Sequence, residues 1–416
     1  MSGGRRPSGR LGRGLCYFAA FYLSLWCLQL TFPGVGFSVV KVATFLFFSA
    51  SVLLFANRTV FLSHFHLFVA FVAMHFVVVN PFGDFVRAAS LMLHIAPAFV
   101  FFVILINLVD DLEHYSKVVL VLIGTTAVIC AALVYLHLFV FNSDYLTAHL
   151  TAEELFWKGR GGKNTLAFFL ALVFPFAYSR FSHRRSLSSL LCVALIGFSA
   201  VYTVSRMALV SVALSTVLFA IVAVHRKRFI GQTVAVGVVF AILSLGFGVR
   251  PVQEFLKLRS PVQVEEVESG ERGFVSFEGQ RVDLARQAVA GFLRSPLFGY
   301  GSMSFREGQR SESHNDYVRL MYEFGGVGLI LFLSIFVVSY RDLRACRKST
   351  PAGYEWLVDA QTVAVLNTAA LLLAINAYET LPVWFVLAGA QIVRRGCYAS
   401  APQREFAATT AEALAT

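Results

Sequence analysis

The sequence predicts an all-α integral membrane protein, a bundle of about twelve transmembrane helices with one large extracytoplasmic loop subdomain. Hydrophobic residues fill 57% of the 416 positions and charged ones only 14%, with a mean hydropathy of +0.69. That is more apolar surface than a soluble core of this length can hide. Apolar stretches recur along the chain, most of them near the ~20 residues that cross a bilayer as a helix. Basic residues gather between alternate stretches, the pattern of a multi-pass protein.

Taken in order, the apolar stretches lie at about residues 15–31, 36–56, 60–79, 88–109, 118–141, 164–179, 187–203, 207–224, 229–249, 317–339, 356–375 and 381–393. The last two are short and share the break from Asn376 to Pro382. Residues 1–154 hold the first helices, 155–345 a core with the outer loop at about 250–316, and 346–416 the last helices and a cytoplasmic tail.

With the N-terminus inside, the inside segments collect Arg5, Arg6, Arg10 and Arg13, then Arg180, Arg184 and Arg185, then Arg226, Lys227 and Arg228. Arg341, Arg344, Arg347 and Lys348 follow, and then Arg394 and Arg395. Both termini are therefore expected in the cytoplasm. The net charge of +11 reads as a topology signal with attraction to anionic lipid headgroups, and clusters split between short loops do not suit nucleic acid. The apolar run after the basic start ends in "TFPG" without a small-x-small cleavage pattern, so a retained first span is expected. The six cysteines fall in spans or at inside ends, and no CxxC or HExxH spacing suggests a metal. No cofactor is expected.

The large outer interval runs from about Arg250 to Ser313. Its acidic middle, with Glu265, Glu266, Glu268 and Glu271, reads as a solvated loop. After it, Val282, Ala285, Ala288, Val289 and Phe292 recur at helical spacing, which predicts an amphipathic helix against the membrane. Ser295, Pro296, Gly299 and Gly301 then predict a tight turn. The next span opens with charges. Asp316, Arg319 and Glu323 share one stripe of a helix. Each costs roughly 2.5 to 3.5 kcal/mol at the centre of a lipid-facing helix, so they are expected to face the bundle interior or a wet cavity near the outer surface.

Arg281, the run "SPLFGYGSMSF" and the run "HNDYVRLMYEFGGVGLILFL" follow one another in an order that resembles the C-terminal signature of the O-antigen ligase and polymerase superfamily. "TVSRMALVSVALS" resembles its S-R at the outer mouth of a span, and "GRGGKNTLAFFLALVFP" the K-N entry found in exopolysaccharide polymerases of the group. The resemblance covers roughly residues 155–340, and the aromatic residue often found after the loop arginine is absent here, with Ala285 or Arg286 in its place. It implies a GT-C-like bundle that moves a glycan from a polyprenyl (undecaprenyl) diphosphate to a sugar hydroxyl on the periplasmic face. The implied partners are that lipid-linked donor, a glycan or lipid A core acceptor, and membrane lipids.

The residues supply parts for such a reaction. Arginine holds phosphate oxygens with a planar fork that keeps its charge near lipid, and Arg206 and Arg281 are the candidates. Arg206 stands on the outer side against the positive-inside bias, while Arg281 also has Glu278 and Asp283 as pairing options. Histidine accepts a proton near neutral pH without a metal. His314 is the histidine of the large outer loop; base and helix cap both remain open for it. Lys163, Asn164, Asn315 and Arg319 are assigned to substrate binding, with Asp316 and Glu323 in support. His149, Glu153 and Glu154 could line an acceptor site, and the histidines of the early spans are assigned no chemistry.

A polytopic transporter or flippase for the same lipid would also bury charges. The single large outer subdomain and the lack of a half-to-half repeat favour a one-sided enzyme. Ligase, polymerase and protein-glycosylating members share the signature, and the K-N motif leans towards a polymerase.

Overall fold

The computed structural model describes residues 10–26, 64–79, 85–109, 111–136, 139, 163–203, 205–222, 277–301, 304–305 and 315–415. Its elements are helices: α1 (Arg10–Trp26), α2 (His64–Val79), α3 (Phe85–Leu108), α4 (Leu112–Tyr135), α5 (Lys163–Arg184), α6 (Leu187–Tyr202), α7 (Arg206–Val222), α8 (Phe277–Arg294), α9 (Asp316–Ser349), α10 (Glu355–Leu371) and α11 (Leu381–Ala415). Among the described residues no strand occurs. The stretches expected at 36–56 and 229–249 lie outside the described residues, and the described parts of the other ten fall largely on helices. Helices Leu112–Tyr135, Thr165–Arg184 and Asp316–Ser349 are long and apolar enough to cross a membrane.

Burial sorts the helices. Leu166 to Ser179 on α5 and Leu381 to Ala390 on α11 are buried without interruption, as expected of helices surrounded by others. The α5 helix packs on α4, α6, α7, α10 and α11, and α9 packs on α2, α8, α10 and α11. Outward-facing apolar side chains, such as Val128 on α4, Val210 and Ile221 on α7 and Ile330 on α9, suit contact with lipid.

Local chemistry explains the helix ends. Asp111 accepts the His114 amide and caps α4, and Ser186 accepts the Ser189 amide and caps α6. Between α5 and α6 the chain reverses over two residues, with Arg185 at φ 46°. Pro175 lies inside α5 and has no amide hydrogen for the carbonyl four residues earlier. That carbonyl, of Ala171, accepts from Asn367 Nδ2 on α10 at 2.9 Å. The same amide group exchanges hydrogen bonds with Ser211 on α7. A defect in the central helix thus ties three helices together.

Among the described residues, a group of arginines gathers at one end of the bundle. Arg347 pairs with Asp359 at 2.9 Å and donates to the Val222 carbonyl. Arg394 pairs with Asp342 at 2.9 Å, Arg395 donates to the Val109 carbonyl, and Arg180 lies over the Trp356 ring. Of the clusters expected inside, the described members Arg180, Arg347, Arg394 and Arg395 stand at this end, and Arg5, Arg6, Arg226, Lys227 and Arg228 lie outside the described residues.

Removing the α5–α7–α10 junction has a specific expected signature. Asn367→Ala leaves the Ala171 carbonyl without its partner and should lower stability by about 1–3 kcal/mol. Pro175→Ala restores the missing amide, so the double variant should recover part of the loss in thermal unfolding of the purified protein. Strict additivity would show that Asn367 does not serve the proline defect.

Candidate functional site

The start of α9 carries four of the predicted polar residues, Asn315, Asp316, Arg319 and Glu323. Asn315 is the helix cap: its side chain accepts the amides of Tyr317 at 3.0 Å and Val318 at 3.1 Å. Asp316 is fully buried, and its Oδ2 accepts the amides of Ala377 and Tyr378, both at 2.7 Å. The Asp316 amide donates to the Leu372 carbonyl at 2.9 Å. This one residue fixes both sides of the connection between α10 and α11.

Arg319 lies within a ring of partners. Its Nε donates to Glu323 Oε1 at 3.3 Å, its other arm is 3.6 Å from Glu379 Oε2, and its guanidinium sits over the Tyr378 ring at 5.1 Å. Glu323 is fully buried, while the Glu379 side chain is 23% exposed. Expected as a substrate ligand, Arg319 is here held by two carboxylates and a ring, and it braces the α10–α11 connection. Glu379 escaped the sequence reading. The available signal was an acidic residue in the short interval between two apolar runs, a place that needs no charge.

A break follows. At Gly325 the backbone of α9 leaves helical geometry, with φ 65° and ψ −165°. The groups freed there are met by the turn after α8: the Tyr300 amide donates to the Tyr322 carbonyl at 3.1 Å and the Gly301 amide to the Glu323 carbonyl at 3.0 Å. In return, the Gly326 amide donates to the Pro296 carbonyl at 2.7 Å and the Val327 amide to that of Leu297 at 3.3 Å. Two glycines permit this approach. A Cβ on Gly325 would strike the Leu297 backbone, and one on Gly299, at φ 68°, would strike the backbone of Tyr322 and Glu323. The glycines of "PLFGYG" and "EFGG" are one docking unit.

Helix α8 rests against the start of α9 through Leu284 and Ala288, packed with Phe305, Val318, Met321 and Tyr322. Its buried line is Leu284, Ala288 and Gly291, whereas Val289, expected on the apolar face, is 46% exposed. The face differs because a neighbouring helix is the partner, and Gly291 admits the Tyr322 ring. Since Gly291 meets Tyr322 and Gly326 meets Phe292, α8 and α9 run in the same direction. Arg281, near the start of α8, therefore falls towards the Asp316 end.

Hydrogen-bond registers locate the remaining candidates. Ser179 donates to the Trp356 carbonyl near the basic end, and Asn367 meets Ala171 and Ser211 halfway up. Tyr317 donates to the Ala369 carbonyl at the other end. Lys163, Asn164 and Arg206 stand at the starts of α5 and α7, so their backbones reach the same end as Asp316. The Arg206 side chain is exposed. The side chains of Lys163, Asn164 and Arg281 lie outside the described set, as does His314 altogether. His149, Glu153, Glu154 and the acidic stretch with Glu265, Glu266, Glu268 and Glu271 also lie outside it.

Residues 190–333 match the model of the Wzy_C family, described as O-antigen ligase. The likeness to the O-antigen ligase family rests on this segment. The matched segment runs from α6 into α9, enclosing Arg206, Arg281, His314, the docked turn and the Gly325 break. Lys163, Asn164 and Glu379 lie beyond it. The O-antigen ligase family is one of membrane glycosyltransferases that act on surface polysaccharide, and the likeness of residues 190–333 to it suggests that general class. No curated protein matches the chain.

The docked turn is expected to be intolerant in a position-specific way. Gly325→Ala puts a side chain at positive φ and against backbone, and should cost about 2 kcal/mol or more. Gly326→Ala meets the Pro296 carbonyl at 3.1 Å and the Phe292 ring no nearer than 3.8 Å, and should be the milder change. Thermal unfolding of the two variants side by side checks the order.

Proposed function

We propose that this protein transfers a glycan from an undecaprenyl diphosphate carrier to a sugar hydroxyl at the extracytoplasmic face of the bacterial inner membrane. The observation that carries the reading is the gathering of Arg206, Lys163 and the α9 charges at one end of the bundle, opposite the basic clusters. The O-antigen ligase family match, which takes in Arg206 and the α9 charges, supports it. By the positive-inside bias the basic end, and both chain termini, belong to the cytoplasm.

Two phosphates arriving at the membrane surface need fixed positive charge. Arg206 supplies it from the first turn of α7, where the helix dipole also favours an anion. Arg281 adds a second fork, and Lys163 with Asn164 reaches phosphate or glycan from the start of α5. As the acceptor hydroxyl attacks the anomeric carbon, the bond from that carbon to the phosphate oxygen breaks and the diphosphate leaves with the electron pair. His314 takes the hydroxyl proton. Asp316, Arg319 and Glu323 keep the floor of this region rigid, and Asn315 starts the helix that carries them.

Glycan chemistry after deletion of the gene tests the class of acceptor. A lipid-linked single repeat without polymer marks a polymerase, an unattached polymer marks a ligase, and unglycosylated protein marks the third type. Unchanged glycans would overturn the proposal.

Complementation separates the roles. Arg206→Ala should weaken binding of undecaprenyl diphosphate by the purified protein, with Arg206→Lys recovering only part because the fork is lost. His314→Asn can still cap a helix, so it should keep that binding and lose roughly 10² to 10⁴ in turnover. Normal binding by Arg206→Ala, or normal transfer by His314→Asn, removes the corresponding role.

A further inference from the structure

Leu293, Leu297 and Phe298 are 72%, 62% and 48% exposed, and they stand together at the end of α8 and in the turn that docks on α9. Their depth can be read from α9. The chain carries no charge from Phe324 to Tyr340, and Arg341 opens the basic end. The Leu297 carbonyl is bonded to the Val327 amide, so the turn is level with Val327. Fourteen residues separate Val327 from Arg341, or ~21 Å of helix at ~1.5 Å per residue.

A bilayer's hydrocarbon core is ~30 Å thick. With Arg341 at one boundary, the turn lies ~9 Å inside the other, and any tilt of α9 sets it deeper. Irregular backbone at such depth requires internal partners for its polar groups. Here the carbonyls of Pro296 and Leu297 and the amides of Tyr300 and Gly301 bond to α9. The Phe298 carbonyl bonds to His75 Nε2 on α2, and the Gly299 carbonyl accepts from the Ser295 hydroxyl at 2.9 Å. Ile330, Leu333 and Val337 extend the exposed apolar surface along α9.

We propose that the end of α8 and the turn after it form a re-entrant segment in the leaflet at the Asp316 end of the bundle, with Leu293, Leu297 and Phe298 against phospholipid acyl chains. The exposed pair Asp283 and Arg286 leaves the start of α8 in water. Arg294, also exposed, reaches the headgroups by the length of its side chain. The helix enters the membrane obliquely, rather than lying along its surface.

Nitroxide labels test the depth directly, in the full-length protein with native cysteines replaced by alanine, in phospholipid nanodiscs. Single cysteines are placed at Leu293 and Leu297, with Ile330→Cys as the lipid-facing reference and Arg286→Cys as the aqueous one. Labels at Leu293 and Leu297 should collide with oxygen in preference to a water-soluble nickel chelate, as at Ile330, and the label at Arg286 should show the reverse. Preference for the nickel chelate at both turn positions overturns the proposal. Should Leu297→Cys fail to fold, Leu293→Cys carries the same comparison. Glycan transfer does not enter the readout, so loss of activity leaves the result intact.

Discussion

A helix that crosses a membrane satisfies its backbone within itself, since lipid offers no hydrogen bonds. The α9 helix departs from this at Gly325, and the turn Pro296–Gly301, which ends fifteen residues before the helix begins, makes good the loss. Four backbone hydrogen bonds cross between Pro296–Gly301 and Tyr322–Val327. They require two glycines face to face, because any Cβ would keep the strands of chain apart. The position of α8, and hence of Arg281, depends on this contact.

The second constraint is charge. Asp316, Arg319 and Glu323 are buried in the turns of α9 that lead to that contact, where unpaired ions are costly. Each is used. Asp316 gathers the amides of Ala377 and Tyr378, and Arg319 spans Glu323 and Glu379. The connection between α10 and α11 is thereby fastened to the start of α9. Rigidity at this end suits a reaction in which a diphosphate must be held while a neutral hydroxyl approaches.

Much of this was legible in advance. The burial of the α9 charges followed from their cost in lipid, and their shared face from spacings of three and four on a helix. The glycines of "PLFGYG" announced a turn. Nothing in their spacing said that the turn completes another helix, because that partnership joins residues far apart in the chain. Likewise Val289 was read as inward by periodicity, yet the neighbour on α9 chose the line through Leu284, Ala288 and Gly291. Glu379 was hidden because its partner, Arg319, lies sixty residues away.

The sequence by itself determined that the chain is a helical membrane protein, where its basic and apolar segments lie, and which family its central part resembles. Those properties depend on composition and local period, which each segment carries alone. Only the tertiary structure decided that Asn315 caps, that Asp316 binds backbone, that Asn367 repairs the proline in α5, and that Arg319 is held by two acids. These roles depend on which polar groups are left unsatisfied when helices meet, and that is settled by packing between distant segments.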